Sequence, residues 1–232
     1  INAGTNVDVV ATGTITVSNA LTFSIASGLT GTLTLDNRGA TTLATIGSYS
    51  GIGINVKASI TNNGAGTVNL NFLSAGSINV NNSFDNVNKT SASGVNITSS
   101  SGKMNVTMQS FYDNTYPAIF GSNIYIYGNI TTRGGFITLD GTGGTISQTT
   151  TAGSTAGETI TSGSIANGPV YLEWGSKLNT VSNASTTLTS ATVGGNINIA
   201  ASRNISNNAG AFEQGAAAPI YAGGDFNLNT NT

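Results

Sequence analysis

The 232-residue sequence predicts an all-β fold, a parallel β-helix (also called a β-solenoid). Three observations carry this prediction: a short apolar–polar–apolar motif that recurs along the chain, the spacing between its copies, and a composition dominated by small polar residues. No segment shows a sustained helical periodicity, and Thr, Asn, Ser and Gly are mediocre or poor helix formers. Helix content is therefore expected to be close to nil.

The recurring motif places one polar residue between two apolar residues. Alternation with a period of two is typical of a half-buried strand, whose branched side chains face inward while Thr or Asn faces outward. Because each run is short, the strands are expected to be short as well. Copies of the motif start at Ile15, Leu33, Val68, Ile78, Val95, Met104, Ile124, Ile137, Val170, Ile197 and Phe226.

The spacing of these motifs predicts how the strands are arranged. Many copies are roughly 24 to 29 residues apart, and self-similarity in this range is typical of a solenoid, whereas a propeller blade needs about 40 residues. At about 26 residues per coil the chain would hold roughly nine coils, and about 4.8 Å per coil would give a rod about 43 Å long. The spacings used are those of Val68, Val95 and Ile124, of Val170, Ile197 and Phe226, and of Ile54, Ile78 and Met104.

Two stretches interrupt the repeat and are expected to leave the coil as irregular excursions. Residues 109–120 (QSFYDNTYPAIF) are rich in aromatic residues and contain a proline, and residues 141–168 are poor in apolar residues. Residues 1–232 are otherwise expected to form a single β-helix segment, a fragment of a longer protein.

The composition suits the corners and outer faces of stacked coils. Ser, Thr, Asn and Gly make up 122 of the 232 residues, while 38% of the chain is hydrophobic, which is too apolar for a disordered linker. Asn tolerates left-handed backbone and bonds to its own main chain, and Gly fits the tightest corners. Stacked Asn or Thr ladders add order without charge.

The charge and the missing residue types exclude several functions. The net charge is −2 with only seven Lys plus Arg, whereas a nucleic-acid-binding protein needs a basic stripe. The chain has no His and no Cys, so it lacks the usual zinc ligands, and no calcium-binding repeat recurs. No apolar run reaches the length of a membrane-spanning helix. We therefore expect no cofactor, no metal site, no nucleic-acid partner and no membrane span.

Three segments resemble the repeat of a known family. Residues 194–202 (GGNINIAAS), residues 222–230 (AGGDFNLNT), and residues 121–126 (GSNIYI) followed by 128–135 (GNITTRGG) are similar to the recurring unit of filamentous-haemagglutinin-like exoproteins. Autotransporter passengers are near relatives, and residues 31–35 (GTLTL) look like them as much. The resemblance implies a right-handed β-helix shaft, an adhesive role, and two-partner (type V) secretion through an outer-membrane transporter to the bacterial cell surface.

An enzymatic alternative has to be weighed, because parallel β-helices include polysaccharide lyases and glycosidases. Glycoside hydrolysis needs two carboxylates about 5 to 9.5 Å apart. Asp85 and Asp113 are separated along the chain by close to one predicted coil and could align on one face. Asp is also a common turn-capping residue, and this simpler role is the better interpretation. No catalytic residue is therefore assigned.

Aromatic residues are the candidate contacts for a ligand or partner. Exposed aromatic rings stack on sugars and anchor protein partners. In the segment from Ile124 to Tyr127, alternation predicts that both tyrosines point outward. The alternative is that the aromatic residues pack against the shaft. The candidates are Tyr112, Tyr116, Tyr125, Tyr127, Tyr171 and Trp174.

We therefore expect a non-enzymatic segment of a secreted bacterial surface adhesin, a rigid shaft that presents binding surfaces for host or neighbouring-cell contact. Its expected partner is a host-cell glycan or a protein receptor, and self-association along the fibre axis remains open. The two alternatives are a self-assembling extracellular structural fibre and a β-helical polysaccharide lyase or glycosidase.

Overall fold

The computed structural model of the chain describes residues 1–38, 53–80, 95–110, 123–149, 157–161, 168–173, 175–187, 193–202, 211–215 and 217–231. These residues form strands, turns and bends, with no helix among them. The fold is therefore all-β, as the composition and the motif predict.

Nineteen of the 21 strands in the described regions belong to three parallel sheets, called sheets A, B and C. Sheet A contains β1 (Asn6–Val10), β4 (Thr30–Asp36), β7 (Thr67–Ser74), β10 (Met104–Ser110), β13 (Ile137–Asp140), β18 (Ile197–Ser202) and β21 (Phe226–Asn231). Sheet B contains β2 (Ile15–Val17), β5 (Gly53–Val56), β8 (Ser77–Val80), β11 (Ile124–Ile126), β16 (Val170–Leu172) and β19 (Phe212–Gln214). Sheet C contains β3 (Leu21–Phe23), β6 (Ile60–Asn62), β9 (Asn96–Ser99), β12 (Asn129–Thr131), β17 (Lys177–Asn179) and β20 (Ile220–Tyr221).

The chain visits the three sheets in a fixed order, A then B then C, and repeats that order six times before it returns to sheet A with β21. Each strand pairs in parallel with the strand that precedes it in the same sheet and with the one that follows it. Stacked parallel sheets with this connectivity are consistent with a β-helix.

The core consists of columns of apolar side chains that run across the strands. One column of sheet A joins positions that are all paired in register, and its members are 5% exposed or less. These members are Leu33, Leu70, Val106, Ile137 and Ile197. Removing one such side chain from water contributes about 1.5–3 kcal/mol. The core is therefore distributed along the stack rather than gathered at one centre.

Buried polar side chains hold the corner that follows sheet C. The Asn62 amide is fully buried, donates to the carbonyls of Gly66 and Lys103 at 3.1 and 3.2 Å, and accepts from the Gly64 N–H at 3.1 Å. Its neighbour in the next strand, Ser99, donates in the same way to a carbonyl three residues further on. These side chains supply the partners that turning backbone groups would otherwise lack.

The same corner contains glycine because consecutive turns approach closely. A Cβ atom on Gly102 would overlap the Gly66 carbonyl oxygen, and one on Gly195 would overlap the Gly135 carbonyl carbon. A residue with a side chain would have to push the neighbouring main chain away, so only glycine allows the turns to stack here.

The length of chain per turn is not uniform, contrary to the prediction from the motif spacing. Between β1 and β4 the paired residues are Val7 and Leu33, close to the expected length of one coil. Between β13 and β18 they are Ile137 and Ile197, more than twice as far apart along the chain. The described strands therefore make seven passes through sheet A, about 29 Å at roughly 4.8 Å per spacing, instead of nine coils.

The expected coil length was wrong because several of the spacings compared strands of different sheets. The motif at Val68 lies in β7 of sheet A, whereas the next motif of that series, at Val95, immediately precedes β9 of sheet C. The motif occurs in strands of more than one sheet, so the pattern alone does not show which strands are neighbours.

The two predicted excursions have different outcomes. Gln109 and Ser110 belong to β10, and residues 111–120 lie outside the described residues. The second stretch leaves the three parallel sheets as predicted, but its described part contains a regular antiparallel hairpin of β14 (Thr145–Thr149) and β15 (Gly157–Thr161) where an irregular excursion was expected.

Candidate functional site

Three of the six predicted contact residues come together on the outer face of sheet B. Tyr125 and Tyr171 are paired in register on β11 and β16, and their rings stack with centroids 4.9 Å apart and planes 10° apart. Tyr127 stacks on Tyr125 with a centroid distance of 6.2 Å. The flanking Ile124 and Ile126 are fully buried, so the two tyrosines of this segment lie on the outer face as alternation predicts.

Hydrogen bonds and nearby carboxylates fix this tyrosine stack. The Asn123 amide donates to the Tyr125 hydroxyl at 2.7 Å. Burial raises the pKa of Tyr127 well above its ordinary value, and the Glu173 carboxylate, which accepts the Tyr127 hydroxyl proton in a hydrogen bond, raises that pKa further. Burial also raises the pKa of Tyr125.

The ring faces of these tyrosines contact one another, so they are occupied by packing within the protein. Tyr171 is only 8% exposed, since one face of its ring lies against Tyr125. The arrangement favours packing along the sheet over a platform for a sugar ring, which needs an open ring face. The other candidates, Tyr112, Tyr116 and Trp174, lie outside the described residues.

A second polar surface, which the sequence did not predict as a site, lies on the outer face of sheet A. Asn69 is paired with Thr32 on one side and with Asn105 on the other. The Asn69 amide donates to the Thr32 hydroxyl at 3.3 Å, and the Asn105 amide donates to the Asn69 carbonyl oxygen at 2.8 Å. The Asn105 carbonyl oxygen then accepts from the Phe136 N–H at 3.2 Å. These four residues form a continuous hydrogen-bonded column, called the Asn ladder.

A parallel column lies two residues further along the strands. Asn71 is paired with Thr34 and with Thr107, and its amide donates to the Thr34 hydroxyl at 3.5 Å. Outward polar side chains at alternate positions of three consecutive strands therefore form a flat two-column array.

The β14–β15 hairpin lies against one end of this array. The Thr107 hydroxyl donates to the Glu158 carboxylate at 2.9 Å, and the Asn198 amide donates to the Glu158 main-chain carbonyl at 2.6 Å. Asp140 fixes the start of the hairpin, because its carboxylate accepts from the Thr142 N–H and the Gly144 N–H, both at 2.8 Å. Glu158 is only 7% exposed as a result.

The array and the hairpin together form a groove of about 310 Å³. Its floor consists of hydroxyl and amide side chains of β4, β7 and β10, and Phe136 and Glu158 close one end. Within the described part of the chain, Glu158 is the one ionisable side chain of the lining. The lining residues are Thr30, Thr32, Thr67, Asn69, Asn71, Asn105, Phe136 and Glu158.

The groove was missed because the lengths of chain that separate its residues differ from the motif spacing. Thr32 and Asn69 are 37 positions apart and Asn69 and Asn105 are 36 positions apart, whereas the motif spacing indicated a shorter repeat. The one available signal was the recurrence of Thr or Asn at the central position of the motif.

Four acidic residues of the described regions, Asp36, Asp140, Glu158 and Glu173, take part in separate structural contacts. Asp36 forms an ion pair with Arg38, with an N–O distance of 2.6 Å, and the side-chain hydrogen bond from Arg38 lowers the pKa of Asp36. Asp85 and Asp113, the pair on which the enzymatic alternative rests, lie outside the described residues. Over the regions that the structure describes, no three acidic residues come together as a metal site would require.

Comparison of the chain with protein-family models, with curated proteins and with solved structures gives no match. The described residues contain no helix long and apolar enough to cross a membrane.

Proposed function

We propose that this chain is a non-enzymatic segment of a secreted bacterial surface adhesin, built as a right-handed parallel β-helix that presents binding surfaces on its outer faces. The observation that carries the proposal is the repeated A–B–C order of the sheets, which aligns outward side chains in columns along one axis. A shaft of this kind holds many weak contacts in a fixed geometry, and their avidity exceeds the affinity of any one of them.

The segments that resemble filamentous-haemagglutinin-like exoproteins support this proposal through their equivalent places in the fold. Ile197 and Phe226, which follow the Gly-Gly pairs of two such segments, are paired in register on β18 and β21. The Gly224 N–H donates to the Gly195 carbonyl at 3.0 Å, so the two glycine pairs stack at the same corner. Gly135, in the third segment, occupies that corner one turn earlier. The glycine pairs of the three segments therefore share one corner before sheet A, as a shaft repeat would, whereas residues 124–126 of the third segment form β11 of sheet B.

A bead assay tests the adhesive role. Beads coated with the chain at several densities are applied to a panel of epithelial and bacterial cells. Attachment is expected to rise steeply with coating density, and free monomeric chain is expected to compete weakly, because each single contact is weak. Beads coated with the urea-unfolded chain serve as the control. Folded chain that attaches to no cell type at any density would remove the adhesive role.

A self-assembling extracellular fibre is the second candidate, and the two outer strands of sheet A favour it. Val7 and Val9 of β1 lie in the columns of core residues Leu33 and Leu35, yet are 39% and 41% exposed. At the other end of the sheet Leu228 is 44% exposed. Exposed parallel edges with apolar residues at inward positions are templates for further strands.

Electron microscopy of the purified chain separates the two candidates. Filaments many molecules long, lost in Val9→Lys but kept in Asp8→Lys, would favour the fibre, because Val9 occupies a core column whereas Asp8 lies on the outer face. Dispersed single particles in the micrographs, together with cell attachment in the bead assay, would favour the adhesin.

A further inference from the structure

We propose that the groove between the Asn ladder and the β14–β15 hairpin binds an uncharged oligosaccharide. This inference rests on the proposed adhesive role and names the chemical class of its ligand. The groove, of about 310 Å³, is at the lower end of the roughly 300–1,000 Å³ typical of ligand sites. It accommodates one or two sugar rings of a longer chain that continues along the open face of sheet A.

The chemistry of the floor matches sugar hydroxyl groups. A side-chain amide has two N–H donors and an oxygen with two lone pairs, and a threonine hydroxyl both donates and accepts. The Asn69 amide uses one N–H on Thr32 and one lone pair on Asn105, which leaves one donor and one acceptor for a ligand. Sugar hydroxyls have the same dual character, whereas a purely anionic or purely cationic ligand would satisfy only half of these groups.

The ladder holds the binding groups in place before any ligand arrives. Asn105 is fixed at both ends, by Asn69 and by the Phe136 N–H, so its amide cannot rotate without losing two hydrogen bonds. Binding to groups that are already ordered avoids the entropy of ordering them. The turns repeat about every 4.8 Å, comparable to the length of one sugar residue in an extended chain, so successive residues meet successive rungs.

Charge selects against acidic sugars. Glu158 is held at the end of the groove by Thr107, and the whole chain carries a net charge of −2. No Lys or Arg belongs to the described lining of the groove. A carboxylated or sulfated oligosaccharide would therefore bring a second negative charge close to the Glu158 carboxylate, while an uncharged one would not.

Direct binding measurements by saturation-transfer NMR and calorimetry test the inference. Maltohexaose, cellohexaose and chitohexaose are the neutral probes, and hexagalacturonate is the anionic comparator. Thr67→Tyr fills the groove and is expected to weaken binding of the preferred neutral probe at least tenfold. The matched control is Thr61→Tyr, the same substitution at a half-buried outward position of sheet C, which should leave binding unchanged.

A second pair of variants removes one amide without disturbing the fold. Asn71→Thr is expected to weaken binding about fivefold, the loss of one hydrogen bond. Thr already occupies the same column in the strands before and after it. Asn55→Thr is the control on sheet B, where Thr16 occupies the neighbouring position in its column. All four variants are checked for unchanged urea unfolding.

Three results would overturn the inference: no binding of any neutral hexasaccharide at millimolar concentration, tighter binding of hexagalacturonate, or neutral binding that Thr67→Tyr leaves intact. The bead assay on the same variants separates this failure from failure of the adhesive role. Beads that attach while the hexasaccharides do not bind would contradict the groove alone. Hexasaccharide binding without bead attachment would support the groove and contradict the adhesive role.

Discussion

At the residue scale, buried polar side chains rather than charges determine how the chain turns. Asn62 illustrates this, since it bonds both to its own turn and to the Lys103 carbonyl of the next one. A glycine or a serine at this place could not satisfy all of these groups. The composition indicated that Asn suits the corners, but not that the Asn62 amide is fully buried, because burial depends on which turn stacks above it.

Asn62→Ala should therefore destabilise the fold strongly. The substitution leaves buried main-chain groups without partners, at roughly 1–3 kcal/mol each, so the free energy of unfolding in urea should fall by about 2–4 kcal/mol. The adjacent Asn63→Ala is the control, because Asn63 is exposed and its side chain bonds to the Ser100 hydroxyl at the surface. An equal fall in the free energy of unfolding in the two variants would contradict the conclusion that Asn62 stabilises this corner.

The tyrosine stack gives a second prediction at this scale. Because burial and Glu173 raise the pKa of Tyr127, the folded state keeps the hydroxyl proton at a pH where the unfolded chain has lost it. The stabilisation is therefore full below the ordinary pKa of 10.0 and is lost as the pH rises through the higher pKa of the folded state. An ultraviolet titration should show that Tyr127 and Tyr125 ionise at a higher pH than free tyrosine.

Glu173→Gln should lower the pKa of Tyr127 towards the ordinary value, since it removes the carboxylate that opposes ionisation. Glu213→Gln is the matched control. The Glu213 carboxylate acts on Tyr125 rather than Tyr127, and it is the smallest of the causes that raise the pKa of Tyr125. A titration curve that neither substitution changes would mean that Glu173 is not in contact with the stack.

At the element scale, the motif predicted individual strands well and their partners poorly. The motif copies coincide with strands, except that Val95 lies one residue before β9. Strands of sheet C were mostly missed because one of their inward positions is polar: β6 has Ile60 and Asn62 facing inward, which breaks the alternation. Register could not be read because loops of unequal length separate the turns, and no local pattern records that length.

The hairpin yields a prediction at this scale. Glu158→Ala removes the acceptor of the Thr107 hydroxyl, so hydrogen exchange in β14 and β15 should accelerate about fivefold or more, the equivalent of one lost hydrogen bond. Exchange in β7 should stay unchanged, because its strand partners are intact. Glu158→Gln, which keeps a side-chain acceptor, should restore most of the protection. Exchange that is equal in all three proteins would mean that this contact does not hold the hairpin.

At the scale of the whole molecule, the composition and the fold explain each other. More than half of the residues are Ser, Thr, Asn or Gly, and these types form the corners and the outward columns of the sheets. The sequence therefore predicted the kind of surface, neutral and polar, without predicting where it becomes a groove. The groove depends on the hairpin, which returns to sheet A through contacts between residues 51 positions apart, Thr107 and Glu158.

The register of sheet A is the central claim, because the Asn ladder, the groove and the alignment of outer faces all follow from it. Cysteine cross-linking tests it cleanly, since the chain contains no cysteine. Neighbouring parallel strands lie about 4.8 Å apart, within the Cα separation that a disulfide spans.

Asn69→Cys combined with Asn105→Cys, a pair that faces each other across β7 and β10, should form a disulfide on mild oxidation. Asn69→Cys combined with Asn96→Cys, closer along the chain but in different sheets, should remain reduced in the monomer. The register predicts the first cross-link without the second, read by mass spectrometry of proteolytic fragments. Formation of the second without the first would contradict the register and the surfaces built on it.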